Sequence, residues 1–210
     1  MKAPGQQFMI PAVQIAIQKM TQTVTIKQKF DLMEVITSCE AKNRYEVYQG
    51  DKAEGAVQLY LAEQSECCQR ICCKQQRELK LYIHDGPNRE APQVAELHKP
   101  MHCKAFPCNI CIRPELYVMD MQGGKIGRVH DPFVCANVMC CTIDQHIFDA
   151  EEKMKYKILG TVCQPGICCP CCFDVTFDIH DYHAGANGRI AGIVTKKALD
   201  LFEMCAEPHL

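Results

Sequence analysis

Tryptophan is absent from these 210 residues, and so is any surplus of charge: 23 basic against 25 acidic side chains leave a formal net charge of −2. A near-neutral chain lacks the whole-molecule basic field that drives non-specific nucleic-acid binding, so no nucleic-acid partner is supported. Long apolar runs are lacking as well. The most apolar early stretch, Phe8 to Ile17, is ten residues long and carries Pro11 and Gln14. A spanning helix needs about 20 apolar residues. The N-terminus has one lysine and no compact apolar region ending in a small-residue cleavage site, so no secretory leader is expected. The motifs of covalent and phosphate chemistry are missing too: no phosphate-cradling glycine loop, no serine nucleophile elbow, no H-E-x-x-H. The D-x-[DN]-x-[DN]-G calcium loop is also absent, and Asp120-Met-Gln-Gly-Gly supplies too few oxygens. No enzyme is expected.

What the chain has in excess is cysteine, 17 residues. Without a leader the expected compartment is reducing, where disulfides are rare, and the odd count argues against a closed disulfide set. Cys67, Cys68, Cys72 and Cys73 form one cluster, and Cys103, Cys108 and Cys111 a second. Cys135, Cys140 and Cys141 form a third, and Cys163, Cys168, Cys169, Cys171 and Cys172 a fourth. The clusters fall between apolar segments, where small buried hydrophobes are out of place. Three readings stay open. Loop thiols can carry acyl chains, each buried methylene contributing about 0.8 kcal/mol and two chains anchoring stably. Alternatively, Cys108, Cys111, Cys169 and Cys171 supply thiolates to zinc, with His102, His130 or His183 completing a tetrahedron. The third reading is unmodified, partly buried thiols. With eight histidines available a Cys–His nucleophile pair arises by chance, and it carries no weight.

The apolar pattern has period two. Phe173, Val175, Phe177 and Ile179 alternate with Asp174, Thr176 and Asp178, as in a strand with one buried face. Val57, Leu59 and Leu61 alternate likewise, as do Leu79, Leu81 and Ile83; weaker pairs are Val24 and Ile26, Tyr45 and Val47, Leu116 and Val118, Tyr156 and Ile158. Turn signals separate them at residues 49–51, 85–88, 122–124 and 186–188. Asn187-Gly188 marks a hairpin. Helical signals are few: residues 149–157 have the charge of a helix without an apolar stripe, and Ala198 to Cys205 can form a short amphipathic helix. The expected organisation is an N-terminal tail over residues 1–23, an all-β domain over 24–200 and a C-terminal tail over 201–210. Many short strands at this spacing mean a barrel or a sandwich.

Several of these segments, in order and spacing, resemble the phospholipid scramblase family from about residue 24 to residue 200. The residues that carry the resemblance are Phe30-Asp-Leu-Met-Glu-Val-Ile36 with Asn43-Arg-Tyr45, and Cys67-Cys68-Gln-Arg-Ile-Cys72-Cys73 with the strand from Leu79 to Ile83. Lys99-Pro-Met-His-Cys103 then leads into Cys108 and Cys111, Ile126-Gly127-Arg128-Val129 follows, and Cys168-Cys169-Pro-Cys171-Cys172-Phe-Asp174 opens the strand ending at Ile179. The resemblance implies a single closed antiparallel tubby-like β-barrel. It implies a membrane-associated protein linked to calcium-dependent, ATP-independent movement of phospholipids between leaflets. It also implies cysteine acylation that directs the chain to the cytoplasmic face of the plasma membrane, and to cytoplasm or nucleus when unacylated. Cys108 and Cys111 are the first acylation candidates, then Cys103, Cys168, Cys169, Cys171 and Cys172.

The family's run of thiols is denser than Cys103, Cys108 and Cys111, because Phe106, Pro107 and Ile110 stand among them. The family also continues with an acidic calcium-binding segment and a hydrophobic central helix. Residues 198–210 offer only Asp200, Glu203 and Glu207 and no long apolar run, so that helix is expected to be missing or short and calcium to lack its segment. A barrel without its filler exposes an apolar lining at a cost. Marginal stability is then expected, or a substitute filler: the segment Phe8 to Ile17, a partner helix or a lipid chain. The expected partners are a phospholipid membrane and proteins met through the N-terminal tail. The alternatives are a soluble zinc-stabilised binding module and a truncated regulatory isoform without scrambling activity.

Overall fold

The computed structural model describes residues 12, 16, 18, 20, 23–29, 42–65, 77–101, 113–132, 142–169, 172–182 and 189–198. Eleven strands account for most of them: β1 (Val24–Lys29), β2 (Arg44–Gln49), β3 (Val57–Gln64), β4 (Leu79–Asp85), β5 (Gln93–Lys99), β6 (Glu115–Asp120), β7 (Lys125–His130), β8 (Thr142–Asp149), β9 (Met154–Thr161), β10 (Val175–Asp181) and β11 (Ile190–Lys196). One single-turn helix, α1 (Pro165–Cys168), lies between β9 and β10. The strands form one antiparallel sheet in chain order, so each pairs with its sequence neighbours. This all-β architecture is the one expected from the period-two pattern.

Closure is not shown: the ladder ends at β1 and β11, and no pairing joins those two strands among the described residues. Alternation specifies strands and turns, whereas closure depends on the last strand meeting the first, which local pattern does not encode. The segment 149–157, weighed as a helix from its charge, is a hairpin. Asp149 Oδ1 accepts hydrogen bonds from the Glu151 and Lys153 amides, both at 2.9 Å, and Glu152 takes the left-handed conformation at φ 61°. The expected helix over Ala198 to Cys205 falls, beyond Ala198, on residues outside those described.

The chain divides into two compact units, one of residues 1–105 with 116–126 and the other of residues 106–115 with 127–210. In the first, the inward residues of four strands stand in register: Tyr45 opposite Leu61, Leu61 opposite Ile83, Ile83 opposite Ala95. Val47, Leu59, Ile83, Val94 and Ala95 are buried there, and the helical residue Ala16 joins them with Met20 packed alongside. The stretch considered as a filler thus contributes Ala16 to this core.

Beside the apolar face the same unit buries an ion pair. Glu63 and Arg77 are 1% and 6% exposed, and Arg77 Nη2 lies 3.0 Å from Glu63 Oε1. Burial alone would push the Glu63 carboxyl up, but hydrogen bonds from Ser65, Asn43 and Arg77 with the guanidinium charge outweigh it and hold the pKa low. Burial and that carboxylate raise the Tyr45 phenol.

In the second unit the apolar face of β9 and β10 sets Ile158 opposite Ile179, with Gly160 leaving room for the Phe177 ring. Val175 is buried, whereas Ile190, Ile193 and Val194 of β11 are exposed.

Arg77→Ala leaves Glu63 buried without its cation and is expected to cost about 3–5 kcal/mol in urea unfolding. Pairing it with Glu63→Leu should restore much of the loss. A single variant as stable as the parent would contradict the buried pair.

Candidate functional site

The site begins where β9 ends at Thr161. Gln164 follows three residues later and ties the two strands together through its side chain. Its Nε2 donates to the carbonyl oxygens of Thr161 at 2.9 Å and Thr176 at 2.8 Å, and its Oε1 accepts from the Thr176 amide at 2.9 Å. Pro165 opens α1, where a fixed φ is pre-organised and a missing N–H costs nothing. The Cys169 amide closes the turn on Pro165 O at 2.8 Å, and the Cys172 and Phe173 amides both donate to Cys169 O.

Gly166 is the tightest point. A Cβ there would run into Phe173 O and come within 2.7 Å of Asp174 O and 2.8 Å of Val175 Cγ2. Asp174 fastens the far side: its Oδ1 accepts from the Ala198 amide at 2.8 Å and its Oδ2 pairs with Lys197 Nζ at 2.9 Å. These hydrogen bonds, the backbone one first, hold the Asp174 carboxyl below its usual range.

Gly166 and Val175 are buried. Cys163, Cys168 and Cys172 are exposed cysteines and Cys169 is half-buried. Ile167 and Phe173, 44% and 54% exposed, stand among them. The turn thus brings together Cys168, Cys169 and Cys172 from the sequence-derived candidates. It adds Cys163, which had been grouped with them but not singled out; its place at the end of an apolar strand was the available signal. Cys103, Cys108, Cys111 and Cys171, with His102 and His183, lie outside the described residues. Of the zinc candidates only Cys169 and His130 are described, and among the described residues no three His, Cys, Asp or Glu side chains are placed to hold a metal ion. Asp120 Oδ1 accepts from the Gln122 and Gly124 amides, and Gly123 at φ 80° completes that turn.

A second polar cluster lies on β7 and β8. His130 faces His146 across the ladder, and His146 faces Lys157 on β9. His130 Nδ1 is 3.1 Å from Glu115 Oε1, and His146 Nε2 is 3.1 Å from Asp144 Oδ1. Arg128 pairs with Glu115 and Glu152 and covers the Phe148 ring at 4.3 Å. Burial pushes the His146 pKa down, Asp144 opposes this, and Lys157 and His130 reinforce it.

A family model for scramblases matches residues 3–203, nearly the whole chain. The chain belongs to the scramblase family. Human phospholipid scramblase 1 is 30% identical over 156 residues, which is 74% of this chain and 44% of that protein. Rat phospholipid scramblase 1 is 27% identical over 158 residues, 74% of this chain and 42% of that protein. Human phospholipid scramblase 2 is 29% identical over 156 residues, 74% of this chain and 47% of that protein. This scramblase-family chain therefore spans less than half the length of the curated relatives it matches. No solved structure matches it.

Two outcomes test this geometry. Gly166→Ala should cost about 1–3 kcal/mol by overpacking and open residues 162–174 to limited proteolysis; an unchanged cleavage pattern would contradict the wedge. The low pKa of His146 means the folded chain binds fewer protons than the unfolded one below the ordinary histidine range. Its contribution is therefore full above about pH 6.5 and lost as pH falls. Between neutral pH and about pH 5.5 the melting temperature should fall more steeply in the parent than in His146→Gln.

Proposed function

We propose that this scramblase-family chain is a membrane-associated protein acting in calcium-dependent, ATP-independent transbilayer movement of phospholipids. It is held at the cytoplasmic face of the plasma membrane by acylated cysteines. The observation that carries the reading is a family match over residues 3–203 together with exposed thiols on a braced turn. Acylation needs a thiolate that reaches an acyl thioester: the sulfur attacks the thioester carbonyl, the chain is transferred, and the donor thiol leaves with the proton. Cys168 and Cys172 present such sulfurs, and Cys108, Cys111, Cys103, Cys169 and Cys171 complete the candidate set. The membrane lipid is the substrate of a movement rather than of a covalent reaction, so the chain is not an enzyme in that sense. Protein partners are met through the N-terminal segment.

Among the described residues no helix is long and apolar enough to cross a membrane. Lipid headgroups crossing hydrocarbon need a polar path, so an accessory role beside a spanning component is physically easier than transport by this chain by itself. The test is fractionation of the expressed chain with and without neutral hydroxylamine, which cleaves acyl thioesters. The expected result is membrane association that hydroxylamine abolishes. Incorporation of labelled palmitate should fall in Cys108→Ser with Cys111→Ser, and further when Cys168→Ser and Cys172→Ser are added. A cytosolic chain indifferent to hydroxylamine would overturn the reading.

A further inference from the structure

The exposed apolar side chains of the cysteine turn are not accounted for by acylation, which requires thiols only. Ile167 and Phe173 are exposed on a segment held at three points: by Gln164 to both strands, by Gly166 against β10 and by Asp174 to Ala198. Inward collapse is blocked, because the space beneath the turn is filled by backbone and Val175. Fixed, exposed large apolar groups mark a contact surface. β11 ends at Lys196, opposite Val175, and Lys197 follows it; both are exposed. The acid that the structure sets against this end is Asp174, which Lys197 and the Ala198 amide engage.

We infer that this turn docks directly on an anionic lipid bilayer. Ile167 and Phe173 enter the interface, Lys196 and Lys197 meet lipid phosphates, and the docking precedes any acyl chain. The inference rests on the membrane reading above and deepens it by naming the surface and the lipid charge. Two apolar side chains with a basic flank suit a bilayer, where a few inserted groups and anionic headgroups act together. A stable protein partner would need about 800 Å² from each side, more than one helical turn offers. Docking would also hold Cys163, Cys168 and Cys172 at the depth where a membrane acyltransferase works.

The experiment uses the full 210-residue chain, produced without acylation and sedimented with vesicles of phosphatidylcholine, alone or with about 30 mol% phosphatidylserine. The expected result is binding to the phosphatidylserine vesicles that weakens with salt. Ile167→Asp with Phe173→Asp should lower the partition coefficient at least about tenfold, and Ile167→Ala with Phe173→Ala by less. Lys196→Gln with Lys197→Gln should lower it by about tenfold at low ionic strength, and Lys196→Gln alone by part of that. Met121→Asp, on the exposed turn between β6 and β7, should leave it unchanged. Circular dichroism confirms that each variant folds. An unacylated parent that ignores phosphatidylserine vesicles overturns the inference, as does unaltered binding by both Ile167/Phe173 pairs. If the acylated chain is nonetheless on membranes and released by hydroxylamine, the docking surface fails while the membrane reading stands; if neither holds, both fail.

Discussion

The cysteine turn depends on one close approach, the packing of Gly166 against the backbone at the start of β10. Only a residue without a side chain can sit there, because Phe173 O, Asp174 O and Val175 Cγ2 already occupy the space a Cβ would need. With that contact made, the turn is pinned by the hydrogen bonds of Gln164, and Ile167, Cys168, Cys172 and Phe173 stand exposed on it. Such exposure costs free energy in water for a free chain. The docking inference places an interface over that surface.

The two units divide the work differently. The first carries the buried core of Val47, Leu59, Ile83, Val94 and Ala95, closed by Ala16 and braced by the Glu63–Arg77 pair. Among the described hydrophobic residues of the second, Val175 is buried while Ile167, Phe173, Ile190, Ile193 and Val194 are exposed. The second unit is also where the cysteine turn sits.

Much of the fold was legible as alternation. β3, β4 and β10 alternate so regularly that one buried face follows from the sequence. β8 was not legible, because Asp144 and His146 occupy the positions of one face, so its period-two signal is polar and weak. β5 hid behind a bulge, which places Val94 and Ala95 both in the core and breaks the alternation. The charges of residues 149–157 suggested a helix because an exposed hairpin turn and an exposed helix face are equally polar. At the site, clustering of thiols was visible in the sequence, but the brace was not. Gln164 acts through Thr176, twelve residues away, and Gly166 through an approach that no spacing announces. That is why Cys163, Ile167 and Phe173 emerge only from the folded chain.

The most direct test of the membrane-facing turn exploits the absence of tryptophan. Phe173→Trp gives the chain a single indole at the proposed point of insertion, read in the unacylated protein with vesicles containing phosphatidylserine and brominated lipids. Insertion predicts a blue-shifted emission quenched by bromine placed high on the acyl chains. Emission that stays at its water value and is not quenched, in a variant that still folds, would contradict the account.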